Sequence, residues 1–337
     1  MIQASYNRVV LLLGLSAVVL SLIDLSLGSV PLGLTDIIGS LADPQHKSGS
    51  IIWYFRLPKT ITCIVAGSAL SVSGLLMQTL FRNPLAGPDV LGLSSGANLA
   101  VAIFIMAGGI FSFRFIDTDS LSTALAASIG SGLIFLLVMS LSRFVKEHAS
   151  LLVIGLMIAA AASSLLTVIQ YISPAEDLQA FVIWTMGTVG NTNWRDIVVL
   201  TVAQIVGITM SYIMIKSLNA WLLGDLYAAS IGVNTKATRI TIVSATSLLT
   251  GAVTAFCGPI AFVGLAVPHL IRLVLSTTDH RVLIPAVALG GSCLLLFCDI
   301  IANIPGQTQV LPINALTSFI GAPVVIALII KNKRLRL

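Results

Sequence analysis

Charged side chains are scarce in this sequence. Asp, Glu, Lys and Arg make up only 9% of its 337 residues, whereas 57% of the residues are hydrophobic. A soluble domain carries about 25% charged residues, and a disordered chain has low hydrophobicity. The composition therefore excludes a soluble enzyme and a disordered chain, and it disfavours a nucleic-acid partner despite a net charge of +5. The class that fits is a protein that crosses a lipid bilayer several times.

The alternation of apolar and polar residues that is typical of membrane β-barrels is also missing. The apolar runs are instead long and continuous, as at 9–22 and 151–166, and such runs predict spanning helices. The sequence predicts an all-α polytopic membrane protein, with one transmembrane domain over residues 1–337. Apolar runs and helix breakers give ten predicted spans, at 9–28, 60–81, 91–109, 120–142, 150–172, 196–216, 240–257, 260–276, 282–302 and 312–330.

Positive charge is unevenly distributed between the two sides of this ten-span arrangement. With the N-terminus in the cytosol, most of the 18 Lys and Arg residues fall on the cytosolic side, and those outside are Lys47, Arg56, Lys59, Arg114 and Arg195. Cytoplasmic loops carry an excess of Lys and Arg, so both termini are predicted to be cytoplasmic. Two five-span halves would then insert in opposite directions, and we expect them to form an inverted repeat.

Residues that could carry catalysis or bind a metal are few. The four cysteines lie in apolar runs without a CxxC spacing, and the four histidines fall in predicted loops or at span ends. A nucleotide-binding loop requires a Gly-Lys pair, and the sequence contains none. We therefore expect no catalytic residue, no metal site and no cofactor in this chain. The middles of the spans also contain almost no ionisable residues, which argues against an ion-coupled carrier.

Several small or polar residues within or near the predicted spans are candidates for lining a translocation path. Pro84 and Pro88 interrupt the helix after the second span, and this break is either a tight turn that supports packing or a breakpoint that lines the path. Small and polar residues allow close helix approach and hydrogen bonds between helices. The candidate path residues in this region are Gln78, Asn83, Pro84, Ser94, Ser95 and Asn98.

The longest predicted cytosolic segment, 217–239, is rich in apolar and small residues but too interrupted to span a membrane. Its pattern predicts two short helices separated near 229–232, with Asn219 or Asp225 as N-caps. An exposed apolar patch on this segment would indicate a partner protein. The alternative is a loop that packs on the ends of its own helices.

Two cations, Arg56 and Lys59, stand at the outer start of the second predicted span. Long basic side chains at such a position often extend toward the interface from an apolar stem. Alternatively, two exposed positive charges would form a docking site for an acidic partner outside the membrane.

Several long motifs in one order resemble a known family. The segments are RLPKTITCIVAGSALSVSGLLMQTLFRNPLAGPDVLGLSSGA (56–97), WLLGDLYAASIGVN (221–234), TAFCGPIAFVGLAVPHLIR (254–272), DHRVLIPAVALGG (279–291) and IGAPVVIALI (320–329). From about residue 50 to 330 the chain resembles the FecCD-type, or type II, permease subunits of ABC importers for iron–siderophore complexes, haem and cobalamin.

This resemblance implies an assembly and roles for particular residues. The assembly is a permease homodimer with two ATPase subunits that bind ATP and Mg²⁺, and an extracytoplasmic substrate-binding protein, in a bacterial cytoplasmic (inner) membrane. Arg56 and Lys59 correspond to residues that dock the binding protein. The fifth span corresponds to a gate-lining helix, and its candidate path residues are Gly155, Ala160, Ser163 and Ser164. Two positions depart from the family pattern. Asn303 stands where many relatives carry a second docking Arg, and Leu311 stands before Pro312 where many relatives carry an acidic residue. The residues that the resemblance assigns to ATPase coupling are Leu223, Gly224, Asp225, Ala228, Ala229 and Gly232.

The leading hypothesis is therefore a permease subunit that imports a ferric siderophore or haem by alternating access. Cobalamin, or an oxyanion such as molybdate, is the alternative cargo for the same architecture. An ion-coupled secondary transporter and a structural membrane scaffold are the alternatives of other classes.

Overall fold

The computed structural model describes residues 2–28, 30–111, 120–141, 144, 148–303 and 310–333, and its regular structure over these ranges is helical. A π-helical turn, Ile52–Arg56, precedes α4, and a 3-10 turn, Pro88–Leu91, precedes α5. The helices are α1 (Ile2–Ser26), α2 (Leu34–Ala42), α3 (Gly49–Ile51), α4 (Leu57–Leu80), α5 (Leu93–Phe111), α6 (Ser120–Leu141), α7 (His148–Ile172), α8 (Ala175–Thr185), α9 (Trp194–Ile213), α10 (Ile215–Leu222), α11 (Asp225–Ser230), α12 (Thr235–Cys257), α13 (Val263–Leu275), α14 (His280–Ala302) and α15 (Ile313–Lys333).

Seven helical stretches in the described ranges are long and apolar enough to cross a membrane. They correspond to α1, the continuous stretch Gly49–Leu80, α6, α7, α9, α12 and α14. Three shorter apolar helices, Leu93–Met106, Val263–Leu275 and Ile313–Ala327, lie at the other three predicted span positions. The chain is therefore a polytopic helical membrane protein.

Helix α4 lies at the centre of the bundle. It packs against α14, α12, α13 and α9, and most of its side chains are buried. Pairs of glycines allow this close packing, because Gly67 faces Gly291 of α14 and Gly74 faces Gly264 of α13, and a Cβ at any of them would collide with a facing backbone carbonyl. Small residues at helix crossings let backbones approach closely in membrane bundles.

The helix ends meet at two opposite faces. At one face, the end of α1 (Asp24), the start of α4 (Lys59) and the end of α14 (Asp299) are in contact. At the other face, the end of α4 (Thr79), α10 (Asn219) and the start of α14 (His280) are in contact. These are the same groupings that the positive-inside rule assigns to the outside and to the cytosol. We refer to them below as the outer and cytosolic faces.

Several short elements were not predicted from the sequence. Helices α2 and α8 and the extension of α4 back to Gly49 lie in segments that the sequence analysis left without structure. The region around 240–276 divides as expected at Pro259, because α12 ends at Cys257 and Gly258 has φ 72°. Pro268, by contrast, lies inside α13 and does not end it.

Candidate functional site: the α10–α11 segment and the outer ion cluster

The segment between α9 and α12 forms two short helices on the cytosolic face. They meet at Leu223 and Gly224, a break that the sequence did not predict, whereas the predicted break near 229–232 coincides with the turn between α11 and α12. Gly224 has φ 115° and ψ 153°, a conformation open essentially only to glycine, and this fixes the turn. The predicted N-caps are wrong. Asn219 lies inside α10, and Asp225 is the first residue of α11 with Gly224 as its N-cap.

This α10–α11 segment presents apolar side chains to solvent. Leu226 is 90% exposed and Leu223 is 65% exposed, and Ile231 is also exposed. Of the other residues predicted to contact an ATPase, Ala229 and Gly232 are exposed, Ala228 is buried, and the Asp225 side chain lies outside the described part of the chain. A contiguous exposed apolar patch usually marks an interaction site.

The same segment is firmly attached to the bundle. Trp221 of α10 is fully buried, and its Nε1 donates a hydrogen bond to the carbonyl oxygen of Leu80 at the end of α4, at 3.3 Å. Asp279, the N-cap of α14, accepts from the backbone N–H of Arg281 and from the amide of Asn219. Burial opposes ionisation of Asp279, but these hydrogen bonds outweigh it and lower its pKa below the usual value.

Arg56 is not an exposed docking residue in this conformation. Its guanidinium is buried, with Nη1 donating to the carbonyl oxygens of Leu25 at 2.6 Å and Ser26 at 3.1 Å, and Nη2 donating to that of Val30. The last carbonyls of a helix have no partner within the helix. Arg56 satisfies those at the end of α1 and joins α1 to the start of α4, which explains its burial.

Lys59 is likewise turned into the protein. Its Nζ lies 2.6 Å from a carboxylate oxygen of Asp299 and 3.3 Å from one of Asp24. Both carboxylates are almost fully buried, and Thr60 donates a further hydrogen bond to Asp24. We call Asp24, Lys59 and Asp299 the outer ion cluster. The expectation of two exposed cations is thus wrong, because each finds internal acceptors where helix ends converge.

Asn303, which replaces an expected docking Arg, belongs to the same region. Its Nδ2 donates to the carbonyl oxygen of Asp299 at 2.8 Å and to the Asp299 carboxylate at 3.1 Å. The pairing of Asp24 and Asp299 with Lys59 was not predicted from the sequence. The available signal was that one cation and two acids stand at the outer ends of three predicted spans.

The candidate path residues on α4 and the following turn have mainly structural contacts. Gln78 is buried, its Nε2 donates to the carbonyl oxygen of Leu265 at 3.1 Å, and its Oε1 accepts from Arg272 at 2.7 Å. The Asn83 side chain accepts from the backbone N–H of Leu85 at 2.9 Å and so forms the turn. Pro84 is exposed beside it.

The candidate path residues on α5 form a mixed group. Ser94 donates to the Asp89 carboxylate, Ser95 is half-buried, and the Asn98 Oδ1 is buried without a hydrogen-bond partner in the described chain. Residues 92–96 also match the pattern G-x-S-x-G of a nucleophile elbow. That elbow requires a strand before the serine, whereas here a 3-10 turn precedes α5.

The candidate path residues on α7 lie on a helix that packs against little of the bundle. Only 11% of its spanning window is buried, compared with 89% for the window that contains α4. Gly155 is buried beside Gly92, whereas Ala160, Ser163 and Ser164 are exposed. Ser164 donates to the carbonyl oxygen of Ala160 at 3.0 Å, so this stretch of α7 is small and weakly polar. Large apolar side chains such as Leu156 and Met157 are also exposed on the same helix.

A cavity of about 240 Å³ lies between α5, α6, α8 and α12. Its lining includes Thr123, Trp184, Thr188, Asn191 and Phe256. Small-molecule sites usually measure 300–1,000 Å³, so this space does not by itself accommodate a large chelate.

Comparison with known proteins extends these observations. Residues 15–331 match the sequence model of the FecCD transport family. The chain is 36% identical over 322 residues to the hemin transport system permease protein HmuU of Yersinia pestis, covering 94% of each chain. It is 35% identical over 299 residues to the vitamin B12 import system permease protein BtuC of Shigella boydii, covering 88% of each chain.

A solved structure described as an inward-facing conformation of a metal-chelate type ABC transporter is also similar. The TM-score is 0.81 at 27% identity, over 97% of this chain and 99% of the other. The resemblance inferred from the motifs is thus confirmed over almost the whole chain. This chain belongs to the FecCD transport family, the permeases of type II ABC importers.

Proposed function

We propose that this chain is the membrane-spanning subunit of an ATP-driven importer that moves a metal chelate, a ferric siderophore or haem, into the bacterial cytoplasm. The chain hydrolyses nothing itself. Two copies of it enclose the path, two separate ATPase subunits bind ATP and Mg²⁺ on the cytosolic face, and a binding protein delivers cargo outside. The path opens to each side in turn.

The observation that carries this proposal is the exposed apolar surface on the α10–α11 segment. Leu223, Leu226 and Ile231 stand in solvent on helices that Trp221 attaches to the bundle. Exposing such side chains without a partner is unfavourable. A cleft in an ATPase subunit would cover these side chains, and the buried Trp221 would transmit movement of that subunit to the helix bundle.

The weakly packed face of α7 supports a path between two copies. This helix leaves Ala160, Ser163 and Ser164 exposed, and the exposed serine hydroxyl of Ser164 is already bonded to its own backbone. Where these small, weakly polar groups line the path, they would bind a bulky cargo loosely and leave room for it. A second copy of the chain would provide the opposite wall.

The proposed cargo rests on the similar proteins together with the absence of a dedicated site. The relatives named above carry hemin and vitamin B12, both of which are metal chelates of an organic ring. Among the described residues no group of three or more His, Cys, Asp or Glu could hold a bare metal ion. A chelate shields its metal, so its passage requires no ligating side chains.

Uptake in cells with and without this chain tests the cargo. Radiolabelled ferric siderophore and labelled haem are supplied at nanomolar concentration, with labelled cobalamin and molybdate in parallel. Loss of siderophore or haem uptake on deletion, restored by the chain on a plasmid, is the expected result. If both survive and cobalamin or molybdate uptake is lost, the permease assignment stands but the proposed cargo is wrong.

An ion-coupled secondary transporter is the second candidate, and the outer ion cluster is the observation that favours it. Buried carboxylates in membrane proteins often carry protons. In this chain, however, Lys59 lies between Asp24 and Asp299, and all three stand at helix ends. In this position they join the ends of three helices, so we favour the ATP-driven importer.

A further inference from the structure

The side chain of Asn219 links the α10–α11 segment to the start of α14. Its Nδ2 donates to the Asp279 carboxylate at 2.7 Å, and its Oδ1 lies 3.0 Å from the backbone nitrogen and 2.7 Å from the Nδ1 of His280. The Nε2 of His280 in turn lies 2.8 Å from the hydroxyl of Thr79 on α4. One continuous chain of hydrogen bonds therefore connects α10, α14 and α4.

The backbone N–H of His280 fixes the direction of these hydrogen bonds. A backbone N–H can only donate, so the Asn219 atom that contacts it is the carbonyl oxygen, which can only accept. The Nδ1 of His280 must therefore carry a proton. In the neutral ring Nε2 is then an acceptor, and the donor available to it is the Thr79 hydroxyl, which also lies 2.9 Å from the carbonyl oxygen of Leu75. Thr79 and His280 are both fully buried, so the bond between them lies away from water, whereas Asn219 and Asp279 are half-buried.

We call this chain of hydrogen bonds, formed by Asn219, Asp279, His280 and Thr79, the joint. It attaches α10 to the most extensively packed helix pair of the described bundle. Helices α4 and α14 contact each other more than any other two described elements. Gly67 and Gly291 allow their backbones to approach closely. Displacement of one would carry the other with it. Helix α11, in contrast, contacts mainly its neighbours α10 and α12.

We propose that Asn219 and His280 are the positioning residues through which movement of the α10–α11 segment reaches α4 and α14. Thr79 completes the joint on α4. This inference rests on the proposed function, because it assumes that an ATPase moves the segment. It assigns transmission to α10, whereas the exposed residues of the turn and α11 make the contact with the ATPase.

Two variants break the joint, and each has a matched control. Thr79→Val removes the hydroxyl at nearly constant shape, whereas Thr79→Ser retains it. Asn219→Leu removes both amide groups, whereas Lys216→Ala changes an exposed residue of the same helix. The permease, its ATPase subunits and its binding protein are reconstituted in liposomes, and cargo uptake and ATP hydrolysis are measured together.

The expected result is a loss of coupling. Uptake per ATP hydrolysed falls at least fivefold in Thr79→Val and Asn219→Leu while ATP hydrolysis continues, and both control variants behave as wild type. A purely structural role would instead lower uptake and hydrolysis in proportion. An unchanged ratio in both variants, or an equal loss in Thr79→Ser, overturns the proposal.

Hydrogen exchange of the purified permease separates this inference from the proposed function. We expect amides 215–222 to exchange at least tenfold faster in Asn219→Leu and Thr79→Val than in their controls. If wild-type protein shows no ATP-driven uptake, the proposed function is wrong. If hydrogen exchange of these amides is unchanged, the proposed link from α10 to α14 and α4 is wrong, whatever the uptake result.

Discussion

At the scale of single residues, Lys59 is a largely buried cation that pairs with two buried carboxylates. Replacing it by Met keeps the aliphatic stem but leaves Asp24 and Asp299 buried without their cation. Breaking a buried ion pair by removing one partner costs about 3–5 kcal/mol. We expect Lys59→Met to lower the thermal unfolding midpoint of the detergent-solubilised protein markedly.

The control for this prediction is Lys47→Met, which removes an exposed lysine from the same face and should leave the midpoint unchanged. Adding Asp24→Asn and Asp299→Asn to Lys59→Met removes the uncompensated charge and should recover most of the stability. An unchanged midpoint in Lys59→Met would show that the outer ion cluster contributes nothing to the fold.

The exposed side chain of Leu226 provides a test of ATPase binding at the cytosolic face. Because its side chain is 90% exposed, Leu226→Glu should not alter the stability of the isolated permease. A charge in an apolar contact is costly to desolvate, so co-purification of the ATPase subunits should fall at least tenfold. Lys236→Glu, an exposed change at the start of α12, is the matched control. Equal recovery of the ATPase with both variants would exclude Leu226 from the contact.

At the scale of elements, the crossing of α5 and α6 depends on glycine at one position and not at its neighbour. A Cβ on Gly130 would lie 2.5 Å from the Cβ of Ala100, whereas one on Gly132 would have no atom within 4 Å. Gly130→Ala should therefore destabilise the protein by about 1–3 kcal/mol through overpacking. Gly132→Ala should stabilise it by about 0.5–1 kcal/mol, because alanine favours a helix.

Chemical or thermal unfolding of both glycine variants in the same detergent measures this difference. Equal stability of Gly130→Ala and Gly132→Ala would mean that α5 and α6 do not cross where the structure places them.

The elements also show which signals a sequence contains. Long apolar runs predicted the positions of the spanning helices closely, since hydrophobicity over about 20 residues is a strong signal. Helix α8 was missed because Glu176 and Asp177 interrupt its apolar pattern. The break at Gly224 was missed because a positive φ depends on the turn that forms there, and the break was assigned to the region of Gly232, the other glycine of the segment, which also has a positive φ.

At the scale of the whole molecule, the two faces were predictable but the contacts within them were not. The uneven Lys and Arg distribution separates helix ends into the same two groups that the structure brings together at Asp24, Lys59 and Asp299 and at Thr79, Asn219 and His280. Whether Arg56 faces solvent or clasps α1 depends on packing between segments about 30 residues apart. A local sequence pattern does not encode such a contact, so the docking role of Arg56 was inferred from its residue type, its position and the family resemblance.

We propose that a separate ATPase drives transport through this chain. Uptake of labelled haem or ferric siderophore is measured in liposomes that contain the assembled transporter, with ATP inside and a protonophore added. We expect uptake to persist with the protonophore and to stop when vanadate is added or the ATPase subunit is catalytically inactive. Uptake that is abolished by the protonophore and indifferent to vanadate would contradict this proposal.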